Sequence, residues 1–154
     1  MNQLFTIRVN GTEHEVDCYP ETPLLYVLRN HLQLNGPKFG CGLAQCGSCM
    51  ILLDDQAIYA CRHQVQHVGQ ASVTTLEGLS GKDGELHPVQ QSFFDEQAAQ
   101  CGYCTNGLVI RSVALLRENP RPTETEIKQA LHPHICRCGV HSRVVRAVKK
   151  VADS

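Results

Sequence analysis

The sequence predicts an α+β fold in which a β-rich first half is followed by an all-helical second half. Three observations carry that prediction. Apolar and polar residues alternate near the N-terminus, the pattern of a half-buried strand. After Pro88 the apolar residues recur at helical spacing instead. Between the two, Leu76 to His87 holds Gly78, Gly81 and Gly84 and shows no period, so it reads as a linker. The expected units are a β-rich domain over 1–76, a linker over 77–87 and a helical domain over 88–154.

Leu4, Thr6 and Arg8 alternate with Phe5, Ile7 and Val9 in a first strand. Asn10-Gly11 accepts positive φ at both positions and turns the chain tightly, so His14 to Cys18 returns as a second strand. Thr22-Pro23 reads as a helix N-cap followed by a helix-starting proline. Leu24, Leu25, Val27, Leu28 and Leu32 share one face of that helix, and Asn35-Gly36-Pro37 stops it. Residues 36–49 read as loop, with glycines at 36, 40, 42 and 47. Strands at about Met50 to Leu53 and Ala57 to Ala60 join through Asp54-Asp55, and Ser72 to Thr75 forms one more.

In the second half, Pro88 begins a helix running to about Ala99. Leu108, Val109, Ser112, Val113 and Leu116 mark a second helix, ended by Asn119-Pro120. Thr123 with Glu126 forms a capping box that opens a short third helix. Val140, Val144, Val145, Val148 and Val151 give the fourth its apolar stripe.

Composition narrows the function classes. An apolar fraction of 42% against 19% charged is a globular balance, and 154 residues suffice for a sizeable core. A formal charge of −1 excludes the broad basic surface of a nucleic-acid binder. No apolar run is long enough for a transmembrane helix, so no direct membrane span is expected. Met1 to Asn10 carries neither a basic leader nor a long apolar stretch, so no secretory signal is expected. Cysteine is the outlier: nine in all, an odd number in a chain with no mark of secretion. That argues against a disulfide scaffold and makes the thiols candidate metal ligands.

Their spacing tests the idea. Cys41, Cys46 and Cys49 follow a C-x4-C-x2-C pattern with Cys61 beyond, the spacing of a plant-type [2Fe–2S] loop. Four thiolates concentrate negative charge, which backbone N–H groups must offset. Gly40, Gly42 and Gly47 permit the positive φ and close backbone approach that such a loop needs. Buried free thiols or zinc are the alternatives, but zinc favours two separated pairs over a triplet plus one. The second set is Cys101 and Cys104, then Cys136 and Cys138, both pairs abutting expected helix N-termini where the dipole favours thiolate. On spacing alone it fits [2Fe–2S], zinc or a redox disulfide, although a thioredoxin-like motif should follow a strand. Cys18, at the end of a strand, reads as a small buried apolar residue.

Lys38-Phe39-Gly40-Cys41-Gly42, Gln45-Cys46-Gly47-Ser48-Cys49, His87-Pro88-Val89-Gln90-Gln91, Gln100-Cys101-Gly102-Tyr103-Cys104 and Cys136-Arg137-Cys138 occur in that order. From about residue 3 to residue 150 the chain resembles the small iron–sulfur subunits of the molybdenum hydroxylases, the xanthine oxidase family. The resemblance implies an N-terminal β-grasp ferredoxin-like domain and a C-terminal four-helix domain, each holding one [2Fe–2S] cluster, and so decides against zinc in the second set. It also implies a separate large subunit carrying molybdopterin, in its cytosine dinucleotide form, beside the helical cluster. Gln100 and the backbone and sulfur of Cys138 would touch the pterin. Electrons would pass from the Cys101/Cys104/Cys136/Cys138 cluster to the Cys41/Cys46/Cys49/Cys61 cluster and on to an acceptor, with no substrate pocket in this chain.

Within the family, Asn35-Gly36-Pro37-Lys38 and Cys138-Gly139 are most similar to small subunits of enzymes acting on N-heterocycles and of membrane-bound aldehyde dehydrogenases. Those relatives imply an aldehyde or N-heterocycle as substrate, and as acceptor a c-type cytochrome rather than a FAD subunit. They also imply a location in the cytoplasm, or export folded with the large subunit to the periplasmic side of the inner membrane. Gly139-Val140-His141-Ser142 departs from the Thr-Gly-Tyr of many relatives, which alters contacts to the pterin or large subunit but not ligation. The rival readings are a free-standing two-cluster ferredoxin, whose surface should be fully polar, and a zinc-bound interaction module.

Other features are weaker. His132 and His134 flank Pro133 just before Cys136, but eight spaced cysteines already fill two clusters, so histidine ligation of Rieske type is not expected. Arg137, Arg143, Arg146, Lys149 and Lys150 read as a solvated basic helix face, with docking of an acidic partner as the alternative. Arg62 follows a ligand and either hydrogen-bonds near the cluster or stays at the surface. No Ser/His/Asp set, phosphate loop or paired carboxylate is present.

Overall fold

The computed structural model describes residues 1–81 and 83–154. Strand β1 (Gln3–Val9) and strand β2 (Thr12–Cys18) pair antiparallel in a register that closes at Val9 opposite Thr12. Asn10 and Gly11 take φ of 52° and 81°, the two left-handed positions the turn requires. Strands β3 (Met50–Leu53) and β4 (Gln56–Tyr59) form a second hairpin, with Asp54 at φ 52°. That hairpin closes with Leu53 opposite Gln56, so β4 starts and ends one residue before the expected span. Strand β5 (Ser72–Thr74) runs parallel to β1 and antiparallel to β3, completing a five-stranded sheet of order β2-β1-β5-β3-β4.

Helix α1 (Leu24–Tyr26) continues directly into a π-helical turn over Val27–His31. Thr22 is not its cap. Pro23 occupies the N-cap position without a side-chain bond. The N–H groups of Leu24 and Leu25 donate instead to the carbonyls of His63 (2.7 Å) and Ala60 (3.0 Å). Tertiary contacts thus satisfy donors that a helix start leaves free. Leu24, Leu25, Val27 and Leu28 are buried against Ile7, Val9, Ile51 and Val73 of the sheet, together with Cys18.

The helical half contains α2 (Pro88–Asp95), α3 (Thr105–Glu118), α4 (Glu124–Leu131) and α5 (His141–Ala152). Helix α2 ends before the expected Ala99. Gln97 turns left-handed (φ 49°) and the Ala98 N–H reaches back to the Phe93 carbonyl at 2.8 Å, a Schellman-type stop without glycine. Both capping boxes form, Thr123 with Glu126 and His87 with Gln90. Val140, Val144 and Val148 are buried, while Val145 and Val151 are half-buried at the edge of the stripe.

The two halves share β3. Ile51 enters the core beneath α1, whereas Met50 and Leu52 enter the core built by the four helices. Burial on both faces explains why Met50 to Leu53 is an unbroken apolar run rather than an alternating one.

The stretch expected to be a linker begins as an ordered clamp, while residue 82 within it lies outside the described residues. Leu76–Leu79 forms a 3₁₀ turn, and Leu76 and Leu79 pack on the helical core. The Gln90 side-chain amide donates to the Leu76 carbonyl at 3.1 Å. The Glu77 carboxylate accepts from the backbone N–H groups of Asn35 (2.9 Å) and Gly36 (2.6 Å) and from the Thr75 hydroxyl (2.6 Å). Burial pushes the Glu77 carboxyl up, but these donors outweigh it and hold it below the ordinary value. A depressed folded value stabilises the fold above the unfolded pKa of about 4.3, and that contribution is lost as pH falls through the folded value. Glu77→Gln is therefore expected to lower the melting temperature at neutral pH and to flatten its decline on acidification. Parallel melting curves from neutral pH to about pH 3 check this, and a constant offset at every pH would show that the charge is not involved.

Candidate metal centres

Residues 35–49 fold as a loop pinned at both ends. Lys38 N–H donates to the Ser48 carbonyl at 3.0 Å, and the Arg29 guanidinium donates to the Pro37 carbonyl at 2.8 Å. Gly42 (φ 67°), Ala44 (φ 56°) and Gly47 (φ 82°) turn left-handed and aim successive N–H groups inward. Cys41 Sγ accepts from the N–H groups of Leu43 and Gln45 (both 3.3 Å) and Cys46 (3.4 Å). Cys41 N–H in turn donates to Cys46 Sγ at 3.4 Å. A Cβ at residue 40 would lie 2.6 Å from Cys46 Sγ, so only glycine lets the backbone approach that sulfur.

Electrostatics follow from this nest. Burial pushes the Cys41 thiol up, but the three N–H groups outweigh it and bring it down to about 7. Cys49 and Cys61 are buried deeper, and desolvation pushes Cys49 up to about 12. A thiol so desolvated ionises only beside a cation, which is what an iron centre supplies.

The second set is built the same way. Cys104 is the N-cap of α3 and is buried, while Cys101 is exposed. Cys136 and Cys138 are half-buried in the turn before α5. The Tyr103 N–H, with Cys138, draws the Cys101 thiol down. Burial pushes Cys136 up, but the N–H groups of Val140, Cys138 and Gly139 outweigh it and hold it below its ordinary value. Gly102 and Gly139, at φ 81° and 73°, make these turns possible. Desolvation pushes Cys104 up to about 12.

Each set gathers as two neighbouring pairs: Cys41 with Cys46 and Cys49 with Cys61, then Cys101 with Cys138 and Cys104 with Cys136. Among the described residues no three His, Cys, Asp or Glu side chains are arranged to hold a single metal ion. Two pairs per set suit a diiron cluster, with two thiolates at each iron, better than one tetrahedral zinc. A cleft of about 350 Å³ is lined by Cys41 and Cys46 from one set and by Cys101, Cys104 and Cys136 from the other. Exposed Tyr103 and Ile135 line it beside the exposed Arg137, and exposed Phe39 and Leu43 belong to the loop that carries Cys41. The Tyr103 hydroxyl donates to the Phe39 carbonyl and ties the two halves of this surface together.

The remaining expected residues fall into place less tightly. Gln100 is exposed next to Cys101, and Arg62 is exposed at the surface. Cys18 is buried in β2, where desolvation raises its thiol. The basic stretch is largely answered within the chain. Arg146 and Lys150 pair with Glu96 and Asp95, Lys149 with Asp153, and Arg143 with the Gln97 carbonyl.

Sequence reasoning missed the seam between the two cysteine sets. His134 is buried, with its ring over Gly47 and Nε2 3.2 Å from Met50 Sδ. Burial brings its pKa down to about 4, so it is neutral. Gly107 lies against the Gly47 carbonyl, Ile135 N–H donates to the Cys46 carbonyl at 3.1 Å, and Asn106 is buried between the halves. The available signal was Gly107, since an isolated glycine in a helical pattern marks close packing. Nothing in the pattern singled out Asn106, and His134 stood out only for its nearness to Cys136, not for its packing on Gly47.

Comparison with known proteins fits this geometry. Residues 7–76 match a 2Fe-2S iron-sulfur cluster binding domain, and residues 75–149 match a [2Fe-2S] binding domain. Two such domains support two [2Fe–2S] clusters in one chain. A nicotinate dehydrogenase subunit of Pseudomonas putida is 46% identical over 100% of this chain and 98% of its own. The alpha subunit of isoquinoline 1-oxidoreductase from Brevundimonas diminuta is 40% identical over 94% of each. The crystal structure of the aldehyde oxidoreductase from Desulfovibrio desulfuricans superposes with a TM-score of 0.90 at 40% identity. It matches 97% of this chain within 17% of that longer one. Among the described residues no helix is long and apolar enough to cross a membrane. These likenesses extend over both cysteine-bearing halves, and the chain belongs to the [2Fe–2S] electron-transfer subunits of the molybdenum hydroxylase, or xanthine oxidase, family.

Proposed function

We propose that this chain carries electrons out of a molybdenum hydroxylase that oxidises an N-heterocycle or an aldehyde, and delivers them to a c-type cytochrome. Cys101, Cys104, Cys136 and Cys138 hold the cluster next to the large subunit's molybdopterin, in its cytosine dinucleotide form. Cys41, Cys46, Cys49 and Cys61 hold the cluster nearer the acceptor. When bound, each cluster takes up one electron at a time, so two in series accept the pair released by a two-electron oxidation.

The observation that carries this reading is the single cleft lined by both cysteine sets. Residues that share one cleft suit a relay, whereas two isolated sites would not. This chain's own part is to hold the sulfurs, to aim backbone N–H groups at them, and to exclude water behind Cys49 and Cys104. Gln100 and Cys138 take the pterin edge, and the exposed position of Gln100 leaves it open to a partner. The exposed apolar side chains of Tyr103 and Ile135 at the cleft disfavour the free two-cluster ferredoxin, which calls for a fully polar surface. N-heterocycles are named by the nicotinate and isoquinoline relatives, and aldehydes by the structural neighbour.

Purification of the native complex tests the proposal. A larger molybdenum-containing chain and a haem protein are expected to accompany a coloured iron–sulfur chain. Recovery of the coloured chain alone would favour the free carrier, and a colourless chain would overturn both readings.

A further inference from the structure

Asn106 stands two residues after Cys104 and is 1% exposed. Its side-chain amide donates both hydrogens across the seam, to the Ser48 carbonyl at 3.0 Å and to the Met50 carbonyl at 2.9 Å. Those carbonyls flank Cys49. One side chain therefore grips the backbone on both sides of a cysteine of one set while its own backbone carries a cysteine of the other. The orientation is dictated, because a flipped amide would set its oxygen against two carbonyl oxygens.

The Oδ1 atom of Asn106 is buried and has no partner among the described residues. An unsatisfied buried acceptor is unfavourable and offsets part of what the two donated bonds contribute to stability. What those bonds add that apolar packing cannot is direction, because a two-point clamp fixes position. Around it, Ile135 N–H holds the Cys46 carbonyl, and Gly107 and His134 close on Gly47. Asn106 is the residue of this seam that bonds the backbone on both sides of Cys49, while His134 meets the same segment at Met50 Sδ.

We infer that Asn106 is a positioning residue that sets the distance and orientation of the two cysteine sets, and with them the electronic coupling between the two clusters. The inference rests on the proposed relay. Electron transfer falls off exponentially with separation, so a small slip at this clamp reaches the rate without disturbing either set of ligands.

The test uses the intact complex carrying Asn106→Ala, with Asn106→Leu as a variant that fills the space but cannot donate. Both should keep the parent iron content and both [2Fe–2S] paramagnetic signals. The magnetic splitting between the two reduced clusters should change, and rapid-freeze measurement should show transfer between them slowed by about 10- to 100-fold. Ser112→Ala is the structural control. It removes a buried hydrogen bond within the same helix, from Ser112 to the Leu108 carbonyl, and should leave splitting and rate unchanged. Unchanged splitting and rate in Asn106→Leu, with only a lower melting temperature, would overturn the inference. Fewer than two signals in the parent protein would overturn the relay itself, an outcome distinct from the first.

Discussion

Cys104→Ala is expected to remove one of two distinguishable [2Fe–2S] paramagnetic signals and to stop turnover. Cys104 caps α3, is buried, and neighbours Cys136. Alanine there leaves no donor atom at that buried position. The loss should exceed the about 10- to 100-fold that removal of a residue behind a metal ligand costs. The Cys41/Cys46/Cys49/Cys61 signal should survive, because its nest of N–H groups lies within residues 41–46. Iron content and low-temperature EPR on the same preparation check this. Persistence of both signals would show that Cys104 is not a ligand. Cys18→Ala is the matched control: its thiol is buried in β2 among apolar side chains, and iron content should not change.

Gly107→Ala sets two effects against each other. Alanine in a helix interior is favoured over glycine by about 1 kcal/mol. A Cβ at 107, however, would meet the Gly47 carbonyl oxygen and carbon and the His134 ring, with the carbonyl atoms inside 3.0 Å. Overpacking typically costs about 1–3 kcal/mol, and here the obstacle is backbone of the other half rather than a flexible side chain. The upper end applies, so a net destabilisation of about 2 kcal/mol is expected, lowering the melting temperature by roughly 4–8 °C. The strain falls on the seam, so the coupling between the clusters should change with it. Thermal melts and EPR splitting check this, and a melting temperature raised by the helix-propensity gain would show that the seam is not tight.

Much of this was legible in the sequence, for physical reasons. The hairpin at Asn10-Gly11 and the capping box at Thr123-Glu126 depend on local chemistry, and both form where the residues say. The Cys41/Cys46/Cys49 loop follows from spacing and glycine, both local, whereas Cys136 and Cys138 reach Cys101 and Cys104 only through the packing of the helices. What was not legible depends on tertiary partners. The start of α1 is satisfied by the carbonyls of His63 and Ala60, distant in sequence, so Thr22 was the wrong cap. Helix α2 stops early because a non-glycine residue, Gln97, takes the left-handed position. The aperiodic stretch after Leu76 looked like slack chain, yet Glu77 and Gln90 make its beginning a clamp. The seam was hidden for the same reason: Asn106 and His134 become informative only once α3 is laid against Gly47.

The central claim is that one chain holds two [2Fe–2S] clusters in electronic contact. It is tested most directly by low-temperature EPR of the intact complex, reduced stepwise by its own substrate and then by dithionite. Two distinct signals of equal spin count, both populated by substrate and split by their mutual interaction at full reduction, are the predicted result. A single signal, or two that substrate cannot populate, would contradict it.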